Sequence, residues 1–258
     1  MTEKKLKFHF QRFEFKYQMP RDLVDALVPE FLKYMDVDPY AAMQSDGAYK
    51  VSSLYFDSAG YDCYYQKLAG LRTRKKLRLR FYGDLKGPET PVFLEIKKKY
   101  DTVVVKDRIV MPYDQCYGLL REGRTGEPSG HQSQAGESDF LWVLLRNGMT
   151  PQNMVVYRRR PFISKVDADF RVTIDSQLRT YMASWLDEKH AELVVAPDTA
   201  VLEVKFNNVL PFWFHQIIQR YGLAQQPFSK YCNSLEVCIP SLSVRNAVET
   251  YHPELLYN

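Results

Sequence analysis

The sequence predicts a mainly β fold of the α+β class: a closed, eight-stranded antiparallel barrel forming a tunnel with a charged lumen, with helices packed on the outside. Three observations predict it. About eight segments alternate an apolar with an ionic or polar residue, the period of a strand. The segments between them include amphipathic stretches that open at Pro and stop at Gly, the punctuation of helices. Closure of the sheet is expected because it removes exposed strand edges.

Residues 7–17 alternate, with Arg12, Glu14 and Lys16 on one face and Phe13, Phe15 and Tyr17 on the other. Pro20 precedes a helical segment from Arg21 to Tyr34, whose Leu23, Leu27, Phe31 and Tyr34 recur at helical spacing, with Pro29 as a kink. Asp36 to Gly47 reads as a polar loop, and Tyr49 to Asp57 as the second strand. A short Tyr-rich helix or turn ends at Gly70. The next strand contains Lys76-Leu-Arg-Leu-Arg-Phe-Tyr82, which sets Lys76, Arg78, Arg80 and Tyr82 opposite Leu77, Leu79 and Phe81. Pro91 to Lys99 follows as a strand with Glu95 and Lys97 on one face. A turn at Tyr100-Asp101 leads to a strand at 102–109 that places Lys106 and Arg108 together.

Residues 112–122 are expected to be helical. Residues 123–136, rich in Gly, Ser, Gln and Pro, read as a flexible loop within one domain spanning 1–258. A helix is expected from Asp139 to Arg146. Strands follow at 153–162 with Tyr157 and Arg159, at 170–175 with Arg171, Thr173 and Asp175, at 193–195, and at 200–206 with Glu203 and Lys205. Helices at 211–221 and from Phe228 to about Val237 precede a tail, 241–258, expected to pack on the outside or on a partner.

Composition narrows the function classes. The formal net charge is +4 over 258 residues, so a strong positive field must come from local concentration. Four cysteines without CxxC spacing, Cys63, Cys116, Cys232 and Cys238, suit reduced buried thiols in a cytoplasmic protein better than zinc or disulfides. The charged N-terminus has no apolar segment behind it, against an ordinary signal peptide. No apolar run approaches the ~20 residues of a membrane span. A soluble, cytoplasmic protein is expected, with docking on a membrane protein at the inner face of a membrane left open. Nucleic acid is disfavoured because the strand faces interleave both signs rather than forming a uniformly basic patch.

An amphipathic strand ordinarily turns its apolar face inward and its charged face to water. Two features argue otherwise for this set. The ionic faces repeat mixed signs in short patterns, Arg12-x-Glu14-x-Lys16, Glu95-x-Lys97 and Glu203-x-Lys205, and cations outnumber carboxylates on them. Ionic faces turned into a barrel need counter-charges. Polyphosphate chains supply them, because Arg and Lys each bind several phosphate oxygens.

The ordered stretches Arg12-Phe-Glu-Phe-Lys-Tyr17, Ser53-Leu-Tyr-Phe-Asp57, Arg74-Lys-Lys-Leu-Arg-Leu-Arg-Phe-Tyr82, Phe93-Leu-Glu-Ile-Lys97 and Lys106-Asp-Arg108 carry a family resemblance. So do Tyr157-Arg-Arg-Arg-Pro-Phe162, Arg171-Val-Thr-Ile-Asp175, Val201-Leu-Glu-Val-Lys205 and Phe228-Ser-Lys-Tyr231. The chain resembles the VTC domain family, the polyphosphate polymerase domain of the triphosphate tunnel metalloenzyme (CYTH-like) superfamily. The resemblance implies a tunnel that binds ATP and inorganic polyphosphate or triphosphate with a divalent metal, Mn²⁺ or Mg²⁺, and transfers the γ-phosphoryl of ATP to a growing chain. It implies phosphate-binding roles for Lys16, Arg78, Arg80, Lys97, Lys106, Arg159 and Arg171, with Arg78, Arg80, Lys97 and Arg159 at the reacting phosphoryl group. Tyr157, Lys205, Ser229 and Lys230 would help bind substrate. Glu203 would hold the metal, with Glu14 and Glu95 as further candidates. The chain departs from the strict E-x-E-x-K signature, because Arg12 stands where the first Glu would be. It shows neither the phosphate-sensing SPX domain nor the membrane segments of eukaryotic relatives.

Such chemistry needs in-line positioning and charge neutralisation more than a general base. Arg78 and Arg80 facing Lys97 and Arg159 across a lumen would supply both. Two alternatives stand beside the polymerase: a triphosphatase, in which metal-bound water attacks and Glu14 and Glu95 assist, and a polyphosphate-binding module without turnover.

Overall fold

The computed structural model describes residues 12–100, 103–121 and 131–242. The expected strand start at 7–11, the turn at Asp101, loop residues 123–130 and tail residues 243–258 lie outside them. The elements begin with β1 (Arg12–Pro20), α1 (Leu23–Leu32), β2 (Met35–Val37), α2 (Pro39–Ala42), β3 (Tyr49–Asp57), α3 (Asp62–Leu68), β4 (Thr73–Tyr82), β5 (Pro91–Tyr100) and β6 (Val103–Pro112). They continue with α4 (Tyr113–Arg121), α5 (His131–Arg146), β7 (Thr150–Ser164), β8 (Arg171–Met182), β9 (Leu193–Val194), β10 (Thr199–Asn207), α6 (Phe212–Arg220) and α7 (Lys230–Cys238).

The fold is mainly antiparallel β with helices. The hydrogen-bonded strand order is β1-β10-β8-β7-β3-β4-β5-β6, with β2 on β7 and β9 on β8. This corrects the expected closed eight-stranded barrel: the sheet has ten strands, and among the described residues no hydrogen-bonded ladder joins β1 to β6. Alternation reports which face of a strand is buried; it does not report which strands pair.

The chain divides into two compact units. The first contains Met1–Tyr49, Arg159–Ser176 and Asp198–Phe228. In it β1 pairs with β10 so that Phe13, Phe15 and Tyr17 lie beside Phe206, Val204 and Leu202, while Glu14 and Lys16 lie beside Lys205 and Glu203. One pairing thus sorts apolar and ionic residues onto opposite faces. Leu27 and Phe31 of α1 and Phe214 and Ile217 of α6 cover the apolar face and are almost wholly buried. Phe31 and Phe214 stack at 5.9 Å. Each such side chain contributes about 1.5–3 kcal/mol of burial, so Phe214→Ala is the kind of change that would open this core.

The second unit contains Lys50–Arg158, Gln177–Pro197 and Ser229–Asn258. Leu54 of β3, Leu79 of β4, Leu94 of β5 and Ile109 of β6 lie abreast. Phe56, Leu77 and Ile96 form the next apolar row, and Phe140 of α5 meets the Phe56 ring edge-on at 6.1 Å. Asp57 is fully buried and accepts from the backbone N–H of Cys63 at 2.8 Å and of Tyr64 at 3.1 Å, which anchors the start of α3. It also accepts from the Ser58 backbone N–H at 2.8 Å and from the hydroxyl of Tyr231 of α7 at 2.5 Å.

Several boundaries differ from expectation. α5 starts at His131, eight residues before the expected Asp139, so 131–136 are helix and not loop. Composition suggested a loop there; helix propagation from an apolar anchor such as Phe140 adds a hydrogen bond per residue and overrides it. The expected loop after Asp36 contains β2 and α2, both too short to show periodicity. β8 runs on to Met182, past a left-handed Gln177 (φ 53°) that interrupts the alternation. The four cysteines are free; Cys63, Cys116 and Cys232 are buried and Cys238 is half-buried.

Candidate functional site

The second unit concentrates cations on one sheet face. β4 sets Lys76, Arg78, Arg80 and Tyr82 on it, and pairing with β3, β5 and β6 extends each position into a row. Tyr55, Arg78, Glu95 and Arg108 lie abreast, and so do Lys76, Lys97 and Lys106. Lys97 is therefore a lateral neighbour of Lys76 in the same sheet. This corrects the expectation that it faces Arg78 across a lumen. Like charges directly opposite on neighbouring strands destabilise a sheet, so the lysine row is costly without an anion.

Glu95 is the internal counter-ion. It is 2% exposed, and Arg78 Nε donates to its Oε2 at 2.6 Å. Arg78 Nη2 lies 2.6 Å from the same oxygen. Lys106 Nζ at 2.7 Å and Arg108 Nε at 2.6 Å hold Oε1. Burial alone would raise the Glu95 carboxyl, but Arg78, Arg80 and Lys106 overcome it and hold it well below the usual carboxylate range. Lys106 moves the other way. Burial, with Arg78 and Arg108 nearby, brings it down to about 8 against the attraction of Glu95.

Arg80 is 4% exposed, and its hydrogen-bond acceptors are neutral hydroxyls: Ser53 Oγ at 3.0 Å and Tyr157 OH at 3.2 Å. The Lys230 ammonium lies over the Tyr157 ring at 5.0 Å. Ser229 caps α7, accepting from Cys232 N at 3.3 Å, and accepts from Lys76 Nζ at 3.3 Å. The structure thus brings Arg78, Arg80, Lys106, Tyr157, Ser229 and Lys230 together around β4 and α7.

The first unit holds the remaining candidates on its own ionic face. Lys16 Nζ lies 3.3 Å from Glu14 and 3.8 Å from Glu203, and donates to the Phe228 carbonyl at 3.1 Å. Lys205 pairs with the other oxygen of Glu203 and sits in register with Arg171. Arg171 is exposed and donates to the Ala168 carbonyl at 3.2 Å. Arg159 makes a two-pronged ion pair with Asp175, both contacts at 2.7 Å.

These donor sets fit a divalent metal unevenly. Mg²⁺ and Mn²⁺ commonly take one or two carboxylates and complete their shell with phosphate and water. Glu203 and Glu14, which share a cation in Lys16, fit that pattern. Glu95, enclosed by three cations, does not. Among the described residues no group of three or more His, Cys, Asp or Glu is placed to hold a metal by itself.

Ser53, Tyr55 and Asp57 were not singled out from the sequence as parts of the site. Their signal was present in the alternation of Ser53 and Tyr55 with Leu54 and Phe56, but hydroxyl residues on an aromatic-rich strand read equally well as core. Among the described residues no helix is long and apolar enough to cross a membrane.

The chain is 24% identical over 220 residues to vacuolar transporter chaperone complex subunit 4 of Trypanosoma cruzi, covering 72% of this chain and 28% of that protein. It is 27% identical over 152 residues to vacuolar transporter chaperone complex subunit 2 of Saccharomyces cerevisiae, covering 50% and 18%. The chain spans less than a third of either relative's length. Among solved structures, a candidate adenylate cyclase from Bacillus halodurans aligns with a TM-score of 0.48 and 12% identity, over 85% of this chain and 95% of that one. The model of the VTC domain matches residues 11–239, and the chain belongs to the VTC domain family.

Proposed function

We propose that the chain is an ATP-polyphosphate phosphotransferase, moving the γ-phosphoryl group of ATP onto the end of an inorganic polyphosphate chain and releasing ADP. The observation that carries this reading is Arg80, a buried guanidinium hydrogen-bonded by neutral hydroxyls on a face whose carboxylate, Glu95, is taken up by Arg78, Lys106 and Arg108. A buried cation that must share its nearest carboxylate with three other cations is costly; a chain of phosphates supplies further negative charge. Membership in the VTC domain family supports the same reading.

Arg78 and Arg80 neutralise the charge that spreads over the phosphoryl oxygens during transfer, and their fixed positions replace solvent reorganisation. Ser229 and Lys230 at the start of α7, with Tyr157, orient the phosphate chain. The acceptor is already an anion, so no general base is required. In the first unit Glu203, with Glu14, would hold a divalent cation, which supplies charge neutralisation at phosphate oxygens. Both relatives are named as subunits of a complex, which supports a module that works with protein partners.

The test is incubation with ATP and Mn²⁺ or Mg²⁺, followed by assays for ADP and for polyphosphate. Polymer formed in step with ADP is the expected result. Orthophosphate without polymer would replace the polymerase with the triphosphatase, and binding without turnover would leave a polyphosphate-binding module.

A further inference from the structure

Three arginines of the cationic face in the second unit donate to tyrosine hydroxyls. Arg78 Nη1 reaches Tyr55 OH at 2.9 Å, Arg80 Nη2 reaches Tyr157 OH at 3.2 Å, and Arg108 Nη2 reaches Tyr82 OH at 3.2 Å. A neutral phenol orients a guanidinium as a carboxylate would but leaves its charge in place. Tyr55 has the strongest claim to this role. It is 6% exposed, lies directly across the strand pair from Arg78, and packs on Tyr231 at 5.2 Å between ring centres. Guanidinium carries five N–H bonds. Arg78 gives Nε and one Nη2 hydrogen to Glu95 and one Nη1 hydrogen to Tyr55, which leaves one N–H on each terminal nitrogen.

We propose that Tyr55 is a positioning residue of the phosphate site, acting opposite Glu95 to fix the Arg78 guanidinium while leaving its charge and its terminal N–H bonds to an incoming phosphate. The inference rests on the phosphate-binding reading of this face. It has a consequence that a purely structural tyrosine lacks. Around the phenol stand Arg78 and Arg80 on β4 and Lys230 and Tyr231 on α7, with Glu95 of β5 held by Arg78 and Tyr157 of β7 by Arg80. Burial would raise the Tyr55 hydroxyl, but Arg78, Arg80 and Lys230 bring it down to about 8. Above that pH the phenolate cancels the charge of Arg78 and repels phosphate, so affinity falls as pH rises. Lys106, also brought down to about 8, loses charge in the same range and must be separated.

The experiment is calorimetric titration with inorganic tripolyphosphate at neutral and alkaline pH, in wild type, Tyr55→Phe and Lys106→Arg. Tyr55→Phe retains the ring and its contact with Tyr231. It should bind about fivefold more weakly at neutral pH, the size of one lost hydrogen bond. Wild type should lose about tenfold or more between pH ~7 and ~9.5; Tyr55→Phe should lose much less, and Lys106→Arg should keep most of the loss. In wild type alone, the ultraviolet signal of tyrosinate should include a phenol titrating near pH 8 that moves upward when tripolyphosphate is added. An unchanged pH profile in Tyr55→Phe, a flat profile in Lys106→Arg, or no such phenol would overturn the role of Tyr55. Absence of tripolyphosphate binding in wild type would overturn the phosphate reading and the Tyr55 role with it. Binding in wild type with an unaltered Tyr55→Phe variant would overturn the Tyr55 role alone.

Discussion

Replacing Arg80 with Met should make the fold more stable and the proposed phosphate site weaker, and the opposite signs are what make the test informative. Met preserves most of the apolar stem and removes the charge. The variant gives up hydrogen bonds at 3.0 Å and 3.2 Å to the hydroxyls of Ser53 and Tyr157, which can rotate toward other partners; the net loss is about 1 kcal/mol each. Against this, a 4% exposed cation no longer has to be desolvated, and that penalty is several kcal/mol after relaxation. Arg78, two residues along the same strand face, repels Arg80 by about 2 kcal/mol at an effective dielectric of ~20 and a spacing of ~7 Å. The diagonal attraction of Glu95 offsets that term. The balance is a gain of about 1–2 kcal/mol, read as a higher midpoint in urea without added anion. Binding moves the other way. Loss of two charge-assisted contacts removes about 3 kcal/mol, or about a hundredfold in tripolyphosphate affinity by calorimetry. A variant less stable than wild type by more than ~1 kcal/mol, or one that binds tripolyphosphate as wild type does, would refute the assignment of Arg80 to an anion site.

Other changes probe the supports of the same face. Glu95→Gln leaves Arg78, Lys106 and Arg108 without their shared carboxylate and should cost about 3–5 kcal/mol in urea unfolding, with tripolyphosphate restoring more stability than it gives wild type. Because the folded-state pKa of Glu95 is depressed, its stabilisation is present above the unfolded value near ~4.3 and is lost as pH falls below it. Acid unfolding followed by circular dichroism should therefore be less steep in Glu95→Gln than in wild type. Asp57→Asn puts an amide among four donors, Ser58 N, Cys63 N, Tyr64 N and Tyr231 OH, and should lower stability by about 2–3 kcal/mol; a thermal midpoint equal to wild type would show that this junction of α3 and α7 contributes little. Glu203→Gln should abolish the Mn²⁺ or Mg²⁺ dependence of ATP turnover together with the turnover itself, and a variant that still responds to metal would remove Glu203 from that role.

Much of the site was legible in the chain because its logic is local. Lys76, Arg78 and Arg80 share a face through the two-residue period of a strand, and the same period placed Glu14 with Lys16 and Glu203 with Lys205. Helix positions followed from apolar spacing and from stops such as Gly70. β2 and α2 escaped because a segment of three or four residues carries no period, and the start of α5 escaped because composition is a weak guide to where a helix frays.

The sequence by itself determined which residues lie on the ionic face of each strand and that cations dominate those faces. The tertiary structure decided which of them meet. Strand pairing, not alternation, put Glu95 between Arg78 and Arg108, set Lys97 beside Lys76 and Lys106, and laid Tyr55 across from Arg78. It also gave ten strands where a closed set of eight was expected. The physical reason is range: alternation is written in neighbouring residues, whereas register and strand order arise from contacts between segments far apart in the chain, which no local pattern encodes.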